Sequence, residues 1–322
     1  MVDAIASANE LCTALPSYTL YDAGGQASVA SLLAEGLQKK LHSTDRPPAV
    51  VYAAENDGRA AARLQEACNK YVSTSLDGKV SFSETVIAKM CSVVTDSKRI
   101  TEEKLAEVTP GSSKSFLVEA FDQILIEEKT PDGFDRGITQ FIPVPDLDPF
   151  ALTKFHGHNA IHYCLGIKAK EQGMSFMHEA RQDPALMDWT KEAFIKEAGV
   201  GLRHKFSGFP DDLFSEKGFA EYAEDALQRM VNPYLRDPID RVTRDPIRKL
   251  GWDDRLVGSI RYAVDAGANP QRMVEVARKG LDEIQATKKT KTLQAALDLA
   301  WHGQAGGEEM KSIRKIILTP IS

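Results

Sequence analysis

The segment LTKFHGHNAIHYCLG, residues 152–166, carries the side chains of this sequence that are best suited to chemistry. On a helix with about 100° per residue, Lys154, His158, Asn159 and His162 fall within an arc of about 140°. A cation, two imidazoles and an amide therefore share one face of the helix. Such a face could transfer protons, bind a metal ion or make only ordinary hydrogen bonds.

Three interpretations of this face stay open at the level of its residues. In the first, the histidines satisfy ordinary hydrogen bonds on a polar helix face. In the second, His158 and His162 bind zinc through their four-residue spacing, although the intervening Glu and any nearby Cys or carboxylate at ligand spacing are missing. In the third, Lys154 is the centre of an acid–base site.

The spacing Lys-x4-Asn-x2-His, formed by Lys154, Asn159 and His162, resembles the signature of the polyol-specific long-chain dehydrogenases. This family includes mannitol dehydrogenase and mannitol-1-phosphate 5-dehydrogenase. Residues 52–56, YAAEN, look like the family's strand that ends in an acidic residue and Asn. Residues 232–250, NPYLRDPIDRVTRDPIRKL, are similar to the family's C-terminal block and closest to its mannitol-1-phosphate branch.

The resemblance implies a metal-independent oxidoreductase that transfers a hydride between a sugar alcohol or its phosphate and NAD or NADP. It implies that Lys154 is the general base, with a pKa lowered from about 10.4 toward about 7 to 8. Asn159 and Asn56 would donate hydrogen bonds to the developing alkoxide, and His162 would hold the substrate hydroxyl. Asn56 would also lie beside the cofactor. The implied substrate-binding positions are His158, Arg241 and Lys249.

The pattern of helices and strands that must position these residues predicts two domains, residues 1–112 and 113–322. Alternating segments in the first part are typical of a doubly wound parallel sheet, with helices at 26–40 and 59–71 and strands at 49–54 and 81–90. A β-like stretch at 115–128 is predicted to extend that sheet.

Beyond Pro149 the apolar spacing is helical nearly to the end of the chain. The pairs Asp237-Pro238 and Asp245-Pro246 predict helix starts, each with Asp as the cap and Pro in the first turn. The predicted fold class is α/β plus all-α. It is a partial Rossmann-like parallel sheet followed by a mostly helical domain, which the family resemblance likens to the C-terminal domain of 6-phosphogluconate dehydrogenase.

A dinucleotide-binding sheet should open with a strand and a GxGxxG turn, and this sequence contains no GxGxxG. We therefore expect the chain to begin inside its first domain, to bind NAD or NADP weakly on its own, and to expose apolar surface. An alternative function follows, a non-catalytic or truncated relative that keeps a polyol or polyol phosphate pocket for binding or regulation. A misassigned start of a complete enzyme would explain the same pattern.

The composition of the chain argues against several other classes of protein. The 322 residues hold 40 Lys and Arg against 46 Asp and Glu, so the basic surface that nonspecific nucleic-acid binding needs is not expected. No apolar run approaches the roughly 20 residues that span a bilayer, and the first residues lack the pattern of a signal peptide. Cys12, Cys68, Cys91 and Cys164 form no CxxC pair and read as reduced thiols. We expect a cytoplasmic protein with a small polyol ligand, no nucleic-acid or membrane partner, and a sheet edge that favours self-association.

Overall fold

The structure is a computed structural model that describes residues 1–55, 57–72, 74–76, 78–303 and 306–320. The chain folds into two compact units, each made of two stretches of sequence. The unit that we call the sheet unit comprises residues 1–89 and 120–151, and the helical unit comprises residues 90–119 and those from 152 onward. The predicted domain division cuts the chain once, between residues 112 and 113, whereas each compact unit combines two separate stretches. The predicted division stays a prediction.

The regular elements alternate along the first half of the chain and are helical afterwards. The strands are β1 Glu10–Thr13, β2 Ala49–Ala53, β3 Val80–Ile87, β4 Cys91–Val94, β5 Ser115–Val118, β6 Ile124–Glu127 and β7 Phe141–Val144. The α-helices are α1 Val2–Ser7, α2 Val29–Leu41, α3 Ala60–Asn69, α4 Ser97–Glu102, α5 Asp148–Leu152, α6 Asn159–Glu171, α7 Pro184–Glu192, α8 Gly199–Lys205, α9 Glu216–Met230, α10 Ile239–Thr243, α11 Pro246–Lys249, α12 Arg255–Asp265, α13 Gln271–Lys288, α14 Leu293–Ala300 and α15 Glu308–Leu318. Two stretches are π-helical, Thr153–His158 and Ala193–Ala198.

The sheet unit is built on strands in the order β1-β2-β3-β6-β7. Strands β1, β2 and β3 run parallel, with Leu11 opposite Val51 and Val51 opposite Phe82. The parallel strands β2 and β3 were predicted, whereas β1 was not. Every residue of β2 is buried, which confirms the strand that the apolar run predicted to be covered on both faces. Strand β6 pairs antiparallel with β3 and parallel with β7, so the sheet is mixed.

The predicted extension of this sheet by residues 115–128 is half wrong. Only β6 joins it, because β5 pairs with β4 in a separate antiparallel ribbon of the helical unit. Glu119, directly after β5, is buried and accepts hydrogen bonds from Arg229 and from the amide N–H of Met90. These bonds hold the end of β5 within the helical unit.

The helical unit confirms the prediction of a mostly helical second part. Its core is one large cluster of buried side chains, in which the bulkiest are Trp301, Tyr163, Phe194 and Phe219. The buried carboxylate of Glu197 accepts the amide N–H groups of Arg272 and Met273 and so caps the start of α13 from another helix. None of the described helices has the length and apolar character needed to cross a bilayer.

The two Asp-Pro pairs behave differently. Asp245 caps α11 by accepting the amide N–H of Arg248, and Pro246 occupies the first turn, as predicted. At Asp237-Pro238 the predicted helix start is found, but the predicted cap by Asp237 is wrong. Helix α10 begins at Ile239 after Pro238, and no side chain caps its start.

Candidate active site

The helix that carries the candidate residues contains a π turn. The amide N–H of Asn159 donates to the carbonyl oxygen of Lys154, five residues earlier. Residues five apart in a regular α-helix are about 140° apart around the axis, whereas the i→i+5 bond of a π turn places them nearly in line. The π turn therefore brings Lys154 and Asn159 closer to one line along the helix than the arc of about 140° that a regular helix predicts.

The three residues of the Lys-x4-Asn-x2-His pattern are partly exposed. Lys154, Asn159 and His162 are half-buried, while the neighbouring Ile161 and Tyr163 are fully buried. Within the part of the chain that the structure describes, the ammonium of Lys154 and the side-chain amide of Asn159 make no hydrogen bond. Both groups are therefore available to a ligand.

Lys154 has a lowered pKa. Burial and, after it, the positive charge of Arg255 lower the pKa of Lys154 from 10.5 to about 8. The Arg255 side chain is largely buried, with its guanidinium carbon 5.3 Å from the centre of the Phe155 ring and its Nε 2.9 Å from Oδ1 of Asp254. About a tenth of Lys154 is therefore a neutral amine at pH 7, and about half of it at pH 8.

Two histidines of the site are neutral. Burial lowers the pKa of His162 to about 3, with further contributions from Arg241, Arg255 and Lys249. Burial also lowers the pKa of His158 well below its usual value, since the ring is fully enclosed and lies near His162 and other cations. The two rings meet edge to face with centroids 6.0 Å apart.

His156, one turn earlier, is part of the packing. Its ring is buried, and its Nδ1 lies 3.3 Å from the carbonyl oxygen of Arg255. Gly258 makes room for it, because a Cβ at that position would lie 2.2 Å from His156 Cε1. The ring thereby fixes the start of α12, and with it Arg255, against the π turn.

Arg241 and Lys249 have different surroundings. Arg241 is half-exposed, and its guanidinium forms a two-point ion pair with Asp237, which raises the pKa of Arg241. Lys249 is buried, and its ammonium donates to the carbonyl oxygens of Val242, at 2.7 Å, and of Arg244. Arg241 therefore has donors left for a ligand, whereas two of the three N–H groups of Lys249 are used within the chain.

The sequence analysis did not identify two residues of the site, and one predicted site residue is not among the described residues. Arg255 stands in an Asp-Asp-Arg helix start that gives no signal of its role, and Asp237 was interpreted only as a cap. Asn56 lies outside the described residues. The described residues contain no group of three His, Cys, Asp or Glu side chains arranged to hold a metal ion.

The turn after β1, where a parallel sheet would bind a diphosphate, does not fit that group. The buried carboxylate of Glu55 accepts the amide N–H of Leu15 and the hydroxyls of Thr13 and Tyr21. A diphosphate needs free backbone N–H groups and no neighbouring carboxylate. We therefore place no part of a dinucleotide on this turn.

Comparison with known proteins relates the helical part to one family. Residues 146–291 match the mannitol dehydrogenase C-terminal domain. The chain is 30% identical over 247 residues to mannitol-1-phosphate 5-dehydrogenase of Halalkalibacterium halodurans, which covers 77% of this chain and 62% of that protein. It is 28% identical over 269 residues to the enzyme of the same name from Lacticaseibacillus casei, covering 84% and 64%. The chain belongs to the polyol-specific long-chain dehydrogenase family.

Solved structures show the same fold. The Pseudomonas fluorescens mannitol 2-dehydrogenase, in a ternary complex with NAD and D-mannitol, superimposes with a TM-score of 0.62 at 15% identity, over 88% of this chain and 61% of that one. A D-sorbitol dehydrogenase in substrate-free form gives a TM-score of 0.69 at 15% identity, over 91% and 64%. The family member described here thus spans less than two thirds of the length of each of these relatives. Its predicted combination of a Rossmann-like sheet and a helical part is confirmed.

Proposed function

We propose that this chain carries the acid–base and substrate-binding part of a dehydrogenase that oxidises a hydroxyl of a sugar alcohol phosphate, of the mannitol 1-phosphate type. The observation that carries this proposal is the state of Lys154. Its amine is half-buried, has no hydrogen-bond partner among the described residues, and has a pKa of about 8. A lysine that only stabilised the fold would have most of its donors satisfied, as Lys249 has with two of its three N–H groups.

In the proposed reaction, neutral Lys154 takes the proton of the substrate hydroxyl. The side-chain amide of Asn159, nearly in line with Lys154 on the π turn, donates to the oxygen as its negative charge develops. A pKa near 8 suits this step, because a base works best when its pKa lies close to the working pH. The hydride acceptor is proposed by class alone, as NAD or NADP, with Asn56 beside it.

The neutral histidines suit substrate binding better than proton transfer. His162 is half-buried and its ring is neutral, so the ring can hold a hydroxyl of the substrate without a net charge. His158 lies behind it and supports its ring. We propose the same two roles that the family resemblance implied, with His158 acting through His162.

We propose that Arg241 binds the phosphate of the substrate. Asp237 occupies two of its N–H groups, and the remaining three lie on a half-exposed guanidinium. Lys249, which is buried, would attract the phosphate by its positive charge without contacting it. The names of the two bacterial relatives, which are mannitol-1-phosphate dehydrogenases, support a phosphorylated hexitol over a neutral one.

The second candidate function is a protein that binds a polyol phosphate without oxidising it. The observation that favours it is the carboxylate of Glu55, which follows β2 and accepts the amide N–H of Leu15 on the turn after β1. Titration of the purified chain with NADH, NADPH and mannitol 1-phosphate separates the two. Binding of the phosphate ester together with either nucleotide supports the dehydrogenase, and binding of the ester alone supports the second function.

The proposed role of Lys154 is tested by Lys154→Met, with Lys217→Met at an exposed site as the matched control. Oxidation of mannitol 1-phosphate with NAD and with NADP is measured between pH 6 and pH 10. Turnover should fall by orders of magnitude in Lys154→Met and stay unchanged in the control. Retained turnover in Lys154→Met across that range would show that Lys154 is not the base.

A further inference from the structure

A single carboxylate connects the two groups that we assign to the substrate. Oδ2 of Asp237 lies 3.5 Å from Nε2 of His162, and the same carboxylate forms the two-point ion pair with Arg241. The Asp237 side chain is only 12% exposed, so this pairing is shielded from water on most sides. His162, Asp237 and Arg241 thus form a continuous row, which we call the Asp237 row.

The backbone around Asp237 is fixed independently of its side chain. The carbonyl oxygen of Asp237 accepts the amide N–H of Met177 at 2.9 Å, and the amide N–H of Ile239 donates to Ser175 at 3.0 Å. These bonds clamp residues 237–239 against the loop before the 3₁₀ turn at Met177–Gln182. Because the carboxylate stands on a rigid backbone, it can hold other side chains in place.

Asp237 restricts the direction of the Arg241 guanidinium. Two parallel N–H···O bonds fix the plane of the guanidinium, which a single bond or a free arginine would not do. The donors that remain then point away from Asp237. A half-exposed arginine without this partner would sample many rotamers and would lose more entropy on binding an anion.

Asp237 also affects the ring of His162. The ring is neutral, so one of its nitrogens carries hydrogen and the other does not. A carboxylate oxygen 3.5 Å from Nε2 favours the tautomer with hydrogen on that nitrogen. The ring then directs the N–H of Nε2 toward the Asp237 carboxylate.

We propose that Asp237 is a positioning residue that fixes the guanidinium of Arg241 and the tautomer of His162 for an anionic substrate. It touches no reacting atom and acts through these two side chains. This inference rests on the proposed function, since it assumes that Arg241 and His162 face the substrate. It goes beyond the family resemblance, which implied no role for Asp237.

The test compares Asp237→Asn with Asp240→Asn, which removes the same charge three residues later, where the side chain is exposed. Two readouts are used on the full chain. The first is NMR of the Arg241 Nε–H and of the His162 ring nitrogens, which needs no substrate. The second is calorimetric titration with mannitol 1-phosphate, also for Arg241→Ala and for the double variant with Asp237→Asn.

We expect Asp237→Asn to speed hydrogen exchange of the Arg241 Nε–H, to change the His162 tautomer balance, and to weaken mannitol 1-phosphate binding about tenfold. Asp240→Asn should change none of these. The double variant should lose less affinity than the sum of the two single losses, because part of the effect of Asp237 passes through Arg241.

Two results would overturn the inference. Tighter binding in Asp237→Asn would mean that the carboxylate only repels the phosphate, and an unchanged Arg241 Nε–H signal would mean that it does not hold the guanidinium; either overturns the inference. If the wild-type chain binds no phosphate ester, the proposed substrate is wrong. The NMR readouts then still decide whether Asp237 positions the two side chains.

Discussion

Asn159 donates its amide N–H to the carbonyl oxygen of Lys154, and this one bond closes the turn on which the candidate site is built. The wide turn packs against a second π-helical stretch. A Cβ at Gly157 would lie 3.2 Å from Phe194 in that stretch and 3.2 Å from Leu202. The small residue lets the two stretches approach, and isolated π turns of this kind are frequent at functional sites.

The cation of Arg255 should set the pH dependence of the reaction. Because a nearby positive charge disfavours protonated Lys154, Arg255→Met should raise the pKa of Lys154 above about 8 and move the alkaline rise of kcat/KM to higher pH. Arg255→Lys, which keeps the charge, should move it less. The check is the pH profile of both variants, and an unchanged midpoint in Arg255→Met would exclude this electrostatic role.

Lys154 should lower the free energy of unfolding at neutral pH. Its folded pKa lies below its unfolded value, so between about pH 8 and 10.5 the unfolded chain binds more protons, and this residue's contribution to stability rises with pH. At pH 7 the cost is about 1–3 kcal/mol after allowance for partial exposure. Lys154→Met should therefore raise Tm at pH 7.

Thermal unfolding of Lys154→Met, Lys217→Met and wild type at pH 7 and pH 10 provides the measurement. The gain of Lys154→Met should shrink at pH 10, and Lys217→Met should show no gain at either pH. An equal gain at both pH values would mean that apolar packing of the new side chain, and not relief of a buried charge, stabilises the variant.

Much of the fold could be predicted because it follows from local patterns. The apolar run of β2 predicted a strand covered on both faces, and the spacing beyond Pro149 predicted helices. The separate β4–β5 ribbon could not be predicted, because it depends on a bond between Glu119 and Arg229, 110 residues apart in the sequence. Short β-like segments carry no signal for the partner strand that they choose.

The site was predictable in its residues and not in its geometry. The Lys-x4-Asn-x2-His pattern identified Lys154, Asn159 and His162, but helix periodicity cannot show a π turn. Arg255 and Asp237 were missed because their roles arise from charge brought close by folding. The roles assigned to these residues stay predictions until the variants are measured.

The ion pair between Glu119 and Arg229 should be a main support of the β4–β5 ribbon. Both side chains are largely buried, at 4% and 12% exposure. Glu119→Gln removes the charged partner that lies 2.6 Å from the buried guanidinium, while the contact to Asp225 is longer, so we expect a loss of about 3 kcal/mol. Urea unfolding measures it, with the exposed Glu221→Gln as the control. A loss below about 0.5 kcal/mol, as for surface pairs, would contradict this view.

The central claim is that Lys154 is a free amine with a pKa near 8. NMR titration of the full chain, labelled with ¹³C at the lysine side chains, measures this directly, and the Lys154 signal is assigned by its absence in Lys154→Met. We predict a titration midpoint near pH 8 that moves upward in Arg255→Met. A midpoint near 10.5, the value of an ordinary lysine, would contradict the proposed base and the site built around it.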